Sequence, residues 1–176
     1  YIMDWQSVIH YYPQLLAGVG ETLLLLAVSL SIGLLLALSF SLLLENSNAW
    51  FCKLIKTYIF VFRGTPMLVQ FFIIYYGAGQ FTFITHSFLW IAFKQPFFCA
   101  VLALALNTAA YTTELFRGAI KAIPAGEITA AQAFGLNKFQ IATKIILPNL
   151  WRIILPAYSN EVIMVLKGTS LASAIT

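Results

Sequence analysis

A run of 23 residues without a charged side chain, Thr22 to Leu44, restricts this chain more than any other feature. An apolar helix of about 20 residues is long enough to cross the roughly 30 Å hydrocarbon core of a bilayer. The composition agrees, because 61% of the 176 residues are hydrophobic and only 9% are charged, whereas soluble domains carry about 25% charged residues. The sequence therefore predicts a membrane protein rather than a soluble protein with a large core.

Three further apolar stretches predict membrane-spanning helices, at 65–81, 96–116 and 149–166. No internal repeat or low-complexity segment divides the chain, so we expect residues 1–176 to form one all-α domain. The chain starts with Tyr1 rather than Met and ends at Thr176 inside a new apolar run. We therefore expect a fragment, in which a fifth span that begins near Leu171 is cut short.

The basic residues predict which side of the membrane each loop faces. Eight of the ten Lys and Arg lie between the first and second spans, between the third and fourth, or in the first residues of the fourth: Lys53, Lys56, Arg63, Arg117, Lys121, Lys138, Lys144 and Arg152. Because Lys- and Arg-rich loops face the cytoplasm, we expect the N-terminus outside and the loop 118–148 inside. The net charge of +4 indicates anionic lipid as a partner and does not require nucleic acid.

The cytoplasmic loop contains EITAAQAFGLNKFQIATKIILP, residues 127–148, whose pattern predicts two short helices joined at Gly135. Glu127 suits the first turn of one helix, and Gly135 suits its end. Asn137 suits the N-cap of the next helix, and Pro148 either ends that helix or begins another. The apolar stripes on both helices fit two readings. The helices lie on the membrane surface, or their small side chains dock in a groove of a cytoplasmic partner.

The spacing of this loop resembles the EAA signature of ABC importer permeases, in which Glu-Ala-Ala is followed by a glycine and then by Ile-x-Leu-Pro. The matching positions are Thr129, Ala130, Ala131, Gly135, Ile145, Leu147 and Pro148. The resemblance implies that these residues couple the chain to a separate ATPase. Thr129 departs from the pattern, because it stands where the family usually has glutamate. Glu127 lies two residues earlier, on a different side of the helix, and does not replace that glutamate.

Three longer stretches, 62–81, 107–127 and 158–172, resemble permeases for polar amino acids of the histidine, arginine, lysine and octopine type. The membrane subunits of bacterial arginine importers are the most similar, which favours arginine or another basic amino acid as the substrate. The resemblance implies a five-span inner-membrane subunit. Its implied partners are a second permease (in a homodimer or a heterodimer), a dimer of ABC ATPase subunits and a periplasmic amino-acid-binding protein.

The sequence itself contains no motif for binding the ATP that would drive transport. No G-x-x-x-x-G-K-[ST] loop is present to hold phosphates. We therefore expect ATP and Mg²⁺ to be bound by the partner ATPase, and this chain to be a non-catalytic subunit without a cofactor. His10 and His86 stand alone in the sequence, so no metal site is predicted.

The fourth span places a carboxylate, Glu161, next to Tyr158, Ser159 and Asn160 and shortly after Pro156. Carboxylates are costly in hydrocarbon and usually face a cavity or a partner group. Here Glu161 would balance the guanidinium or ammonium group of a basic amino acid, while Asn160 and Ser159 form hydrogen bonds with it. The alternative is that Glu161 pairs with a neighbouring helix or with the second permease.

Other polar residues in the spans have simpler expected roles. Glu114 and Arg117 are three residues apart and predict an ion pair on one helix. Asn107 and Gln70 either line the transport path or form hydrogen bonds between helices. Arg63 is expected to extend to the cytoplasmic headgroups rather than to guard a gate.

Two other classes of function remain possible from the residues alone. An ion-coupled secondary transporter would use Glu161 as a proton or sodium site, although paired broken helices in two repeats are not evident. A non-transporting membrane subunit would explain the apolar spans, but it would not explain the polar segment around Glu161 or the spaced loop motif.

Overall fold

Helix is the only regular structure in residues 5–46 and 48–175, the part of the chain that the computed structural model describes. The α-helices are α1 Trp5–Asn46, α2 Ala49–Gly64, α3 Met67–Ala78, α4 Thr82–Thr85, α5 Trp90–Phe93, α6 Pro96–Ala122, α7 Ala125–Ala133, α8 Lys138–Ile141 and α9 Leu147–Thr169. A π-helical segment, Ala142–Ile146, joins α8 to α9, and a 3₁₀ turn, Ser170–Ala174, follows α9. The all-α prediction is confirmed.

Helix α6 lies at the centre of the fold, and α1, α2, α3 and α9 all pack against it. Most of its buried side chains are small, among them Ala100, Ala103, Ala105, Thr108, Ala109, Ala110, Thr112 and Thr113. Small residues let helices approach closely, which matters in lipid, where apolar burial does not drive helices together. Helix α1 has a glycine, Gly33, where it packs closely against α6. A Cβ at Gly33 would lie 2.8 Å from Thr108 Cγ2, so a larger residue does not fit.

The outer faces of the helices suit a lipid environment. Helix α1 exposes large apolar side chains, with Leu35 at 65% and Leu42 at 63% of their surface. By length and composition, α1 and α6 can each cross a membrane. The predicted spans 22–44, 96–116 and 149–166 fall inside α1, α6 and α9, which are all longer. The helices continue because their backbone hydrogen bonds need not stop where the apolar residues do.

The second predicted span differs from the structure. The stretch 65–81 contains α3, whose 12 residues rise only about 18 Å. The preceding residues, expected to be a loop, form α2, and the two helices meet at a bend of 110°. The break falls at Thr65, whose backbone is extended. Pro66 causes it, since proline lacks an N–H and disfavours helical backbone at the residue before it. A bent helix pair therefore replaces the straight span.

The side chain of Gln70 holds this bent pair together. Its Nε2 donates to the carbonyl oxygen of Phe62 at 2.8 Å, and to the carbonyl and hydroxyl oxygens of Thr65 at 3.1 and 2.8 Å. Its Oε1 accepts a hydrogen bond of 2.9 Å from Asn107 Nδ2 on α6. Gln70 thus satisfies carbonyls that the break releases, and it joins the pair to the central helix. Of the two predicted roles, Gln70 and Asn107 have the interhelical one.

Replacing Gln70 with leucine should destabilise the fold by about 1–2 kcal/mol, because buried carbonyls and the Asn107 amide lose their partners. The change is measured by thermal unfolding of the purified protein in nanodiscs. Gln80→Leu is the matched control, since Gln80 is exposed and should leave the unfolding temperature unchanged. Equal unfolding temperatures for wild type and Gln70→Leu would contradict the assigned role.

Candidate functional site

A cavity of about 470 Å³ opens between the end of α2, the second half of α6 and the middle of α9. Cavities of roughly 300–1,000 Å³ are typical of sites for small molecules. Aliphatic side chains and backbone form most of the wall, to which Arg63, Tyr111, Glu114, Asn160 and Glu161 add polar groups. The cavity thus combines a mainly apolar wall with a few polar groups, which is the usual character of a ligand site.

Glu161 is the most buried charged residue of this cavity wall, with only 7% of its surface exposed. It lies on α9, and the Thr108 hydroxyl of α6 is its polar neighbour. Within the described ranges no Lys or Arg forms an ion pair with Glu161. Its carboxylate is therefore not neutralised by a cation of these helices, although such a group is costly inside a membrane.

The other predicted substrate residues have different surroundings. Asn160 is exposed and lines the cavity next to Glu161. Tyr158 is half-buried and packs against an apolar cluster that includes Ala37 and Phe116. Ser159 faces away from the cavity lining, and its hydroxyl donates to the carbonyl oxygen of Leu155 at 2.8 Å. The fold thus brings Asn160 and Glu161 together in the cavity and leaves Ser159 outside it.

Arg63 and Tyr111 line the cavity, although the sequence did not predict either of them as a site residue. Arg63 is exposed at the cavity wall, with its guanidinium carbon 5.3 Å from the centre of the Tyr111 ring. This distance is within the range of a cation–π contact. The extension of Arg63 to the headgroups stays a prediction. The Tyr111 hydroxyl also donates to the Arg63 carbonyl oxygen at 3.5 Å. The position of Arg63 just before the Gly64-Thr65-Pro66 break was the available signal, since the end of α2 contacts α6 there.

Glu114 also lines the cavity, and its carboxylate accepts a hydrogen bond of 2.7 Å from Arg117 Nη1. The residues are three apart on α6, so the predicted ion pair is confirmed. Its charge is balanced within its own helix.

The loop that carries the spaced motif begins with α7 and turns at Gly135, which has a φ of +76°. The N–H of Leu136 donates to the Ala131 carbonyl at 3.1 Å, and the N–H of Gly135 donates to the Gln132 carbonyl at 3.0 Å. This pair of bonds is a Schellman motif, which requires a left-handed residue and therefore favours glycine. Gly135 ends the helix as predicted.

The second helix of the loop starts at a capping box. The Asn137 side chain accepts a hydrogen bond of 2.9 Å from the N–H of Gln140, whose side chain accepts one of 3.0 Å from the N–H of Asn137. The predicted N-cap at Asn137 is confirmed. The chain then stays helical through the π segment into α9, where Pro148 occupies the first turn. The wider π turn fits a proline, which cannot donate the next helical hydrogen bond.

The loop residues predicted to couple the chain to an ATPase differ in exposure. Thr129, Ala130, Gly135, Leu147 and Pro148 are exposed, Ile145 is half-buried and Ala131 is buried. The Thr129 hydroxyl donates to the Ala125 carbonyl at 3.0 Å, so its hydrogen bond stays within α7. Phe134 and Phe139, with 86% and 76% of their surfaces exposed, flank Gly135. The loop thus presents an apolar, small-residue surface outside the helix bundle.

Three relatives match nearly the whole chain. The arginine ABC transporter permease protein of Haemophilus influenzae is 49% identical over 94% of this chain and 73% of its own. The nopaline transport system permease protein of Agrobacterium fabrum is 46% identical over 99% and 73%. The histidine/lysine/arginine/ornithine transport system permease protein of Escherichia coli is 46% identical over 90% and 67%.

Two solved structures have the same fold. An amino acid ABC transporter crystallised with histidines superposes with a TM-score of 0.85 and 33% identity, over 99% of this chain and 78% of the other. An inward-facing methionine ABC transporter has a TM-score of 0.71 and 21% identity, over 92% and 74%; it supports the fold alone. The sequence pattern of the family described as binding-protein-dependent transport system inner membrane component matches residues 29–176. This chain belongs to that family of inner membrane transport components.

Proposed function

We propose that the chain is the permease subunit of an ATP-driven importer of polar amino acids, with arginine or another basic amino acid as its substrate. The observation that carries this proposal is the carboxylate of Glu161, which faces a membrane cavity without a basic partner among the described residues. The three relatives are permeases for arginine, nopaline, and histidine, lysine, arginine or ornithine, and most of these compounds carry a cationic group.

In this proposal Glu161 binds the guanidinium or ammonium group of the substrate, and Asn160 contributes a hydrogen bond beside it. A charge-assisted hydrogen bond in a mostly apolar cavity is stronger than one in water. The positive charge of the substrate also lowers the free-energy cost of burying the Glu161 carboxylate in a membrane. Tyr158 supports the same helix from its packed position.

Transport requires partners that supply energy and substrate. A dimer of ABC ATPase subunits binds ATP and Mg²⁺ in the cytoplasm, and a periplasmic binding protein delivers the amino acid to a pair of permeases. The N-terminus lies outside, which places α7 and the exposed residues around Gly135 on the ATPase side. The exposed phenylalanines on both sides of Gly135 suit burial in a groove of that partner.

Closure of the ATPase dimer moves α7, and α7 moves α9, which carries Glu161. The cavity then alternates between the two sides of the membrane around a site near the midplane. Each state must bind nucleotide and substrate differently, because only differential affinity couples ATP hydrolysis to transport.

Replacing Glu161 with glutamine should weaken arginine transport, with a KM about 10- to 100-fold higher, because a charge-assisted hydrogen bond is lost. The assay is uptake into liposomes that contain the permease, the cognate ATPase and the binding protein, with competition among arginine, lysine, histidine and glutamine. Glu21→Gln is the control, since Glu21 is exposed and lies outside this cavity. An unchanged KM for arginine would exclude Glu161 as the substrate carboxylate.

Replacing Gly135 with valine should uncouple ATP hydrolysis from uptake, because a β-branched residue is strained at a φ of +76° and the Schellman turn would reorient α7. In the same liposomes, we expect ATP hydrolysis to continue while arginine uptake falls about tenfold or more, a coupling loss of about 1.4 kcal/mol. Gly126→Ala is the matched control, since a Cβ there meets open space. Uptake at the wild-type ratio to hydrolysis would contradict the coupling role.

A further inference from the structure

The cavity contains one cation and one anion that no group of the described helices neutralises. Glu114 is paired with Arg117, so its charge is balanced within α6. Glu161 forms no ion pair with a Lys or Arg of the described residues. Arg63 forms no ion pair in the described ranges, and its guanidinium contacts the Tyr111 ring. A ligand that carries both an anionic and a cationic group would complement these two residues.

The structure around Arg63 holds its backbone, while its side chain is exposed at the cavity wall. Its carbonyl oxygen accepts from Tyr111, and the carbonyl of the preceding Phe62 accepts from Gln70. The residue lies in the last turn of α2, immediately before the extended backbone at Thr65. The guanidinium is a planar group with several N–H donors, and this geometry suits two parallel hydrogen bonds to a carboxylate. Stacking on an aromatic ring leaves the edge donors of a guanidinium free for such bonds.

We propose that Arg63 and Tyr111 form a subsite for the α-carboxylate of the transported amino acid. This inference rests on the proposed function, because Glu161 receives the cationic part of the same molecule. The ligand class is then a zwitterionic α-amino acid with a basic side chain, bound at both ends. A cationic amine without a carboxylate would use only the Glu161 end.

The test compares arginine with agmatine, which is arginine without its α-carboxylate. Equilibrium binding of both radiolabelled compounds is measured on the permease in complex with its cognate ATPase in nanodiscs. Wild type should bind arginine about 10- to 100-fold more tightly than agmatine. Arg63→Gln should remove this preference by weakening arginine binding alone, and Arg63→Lys should keep part of it. Arg152→Gln is the matched control, an exposed arginine of α9 outside the cavity.

The outcomes separate this inference from the proposed function. Unchanged agmatine binding by Arg63→Gln also shows that the variant is folded. If Glu161→Gln weakens both ligands while Arg63→Gln keeps the preference for arginine, the carboxylate subsite is wrong and the substrate cavity stands. If neither variant changes the binding of either ligand, the cavity is not the substrate site and the proposed role of Glu161 fails as well.

A separate observation concerns the connection between α7 and α9. Asn149 Nδ2 donates a hydrogen bond of 2.7 Å to Glu127 Oε2, which joins the first turns of the two helices across 22 residues. Among the described residues it is the one hydrogen bond between these helices. A groove of about 470 Å³ separates α7 from the residues that follow α8 and is lined by Ala130, Phe134, Lys144 and Ile145 among others. Packing therefore holds the two helices together only in part.

We infer that Glu127 is a positioning residue that transmits the movement of α7 to α9. Glu161 lies 12 residues after Asn149 on the same helix, which is about 18 Å along its axis. Helix α9 is continuous from Leu147 to Thr169, with Pro156 inside it, so a displacement at Asn149 reaches the cavity wall through the same helix. The hydrogen bond is charge-assisted, and it fixes the angle at which α7 leaves the bundle.

The test measures amino acid transported per ATP hydrolysed in liposomes that contain the complete transporter. Glu127→Ala and Asn149→Ala should each lower this ratio about three- to tenfold without lowering ATP hydrolysis. The double variant should be no worse than either single variant, because both remove one interaction. Glu127→Gln should restore most of the ratio, since its amide oxygen still accepts from Asn149. Additive losses, or a ratio that neither single variant changes, would overturn the inference.

Discussion

The need to satisfy backbone hydrogen bonds away from water governs this structure. A helix satisfies its own N–H and carbonyl groups, so a chain in hydrocarbon folds as helices wherever it can. Two of the prolines show how the chain meets this need. At Pro66 the side chain of Gln70 satisfies the released carbonyls, and before Pro148 the turn widens into a π segment. The break at Pro66 shapes the cavity, and Pro148 lies at the start of the helix that carries Glu161.

Close packing of small residues follows from the same environment. Gly33 lets α1 approach α6 at Thr108, and Thr108 is also the polar neighbour of Glu161. The contact that holds the two long helices together thus adjoins the charged residue of the cavity. On the other side of the cavity, the interaction of Gln70 with Asn107 positions the end of α2 and with it Arg63. Stability and the lining of the cavity therefore depend on neighbouring residues of α6.

Sequence rules predicted local structure correctly where the interacting residues are a few positions apart in the chain. Gly135, Asn137 and the Glu114–Arg117 pair were predicted because turn chemistry, helix capping and i,i+3 pairing act over a few residues. The ends of the membrane-spanning helices were predicted less accurately, since apolar residues mark the hydrocarbon region and not the ends of a helix. The sequence predicts a loop where α2 forms and a straight span where α3 forms, because α2 resembles a basic loop and α3 a short apolar run.

By itself, the sequence determined that this chain is an all-helical membrane protein with a spaced loop motif, because composition, periodicity and motif spacing are local properties. Only the tertiary structure decided which polar residues share a cavity. Arg63 and Glu161 are 98 residues apart, and Ser159 lies beside Glu161 in sequence yet faces away from the cavity. The direction of a side chain in space depends on helix rotation and on the bend at Pro66, and no spacing rule along the chain contains that information.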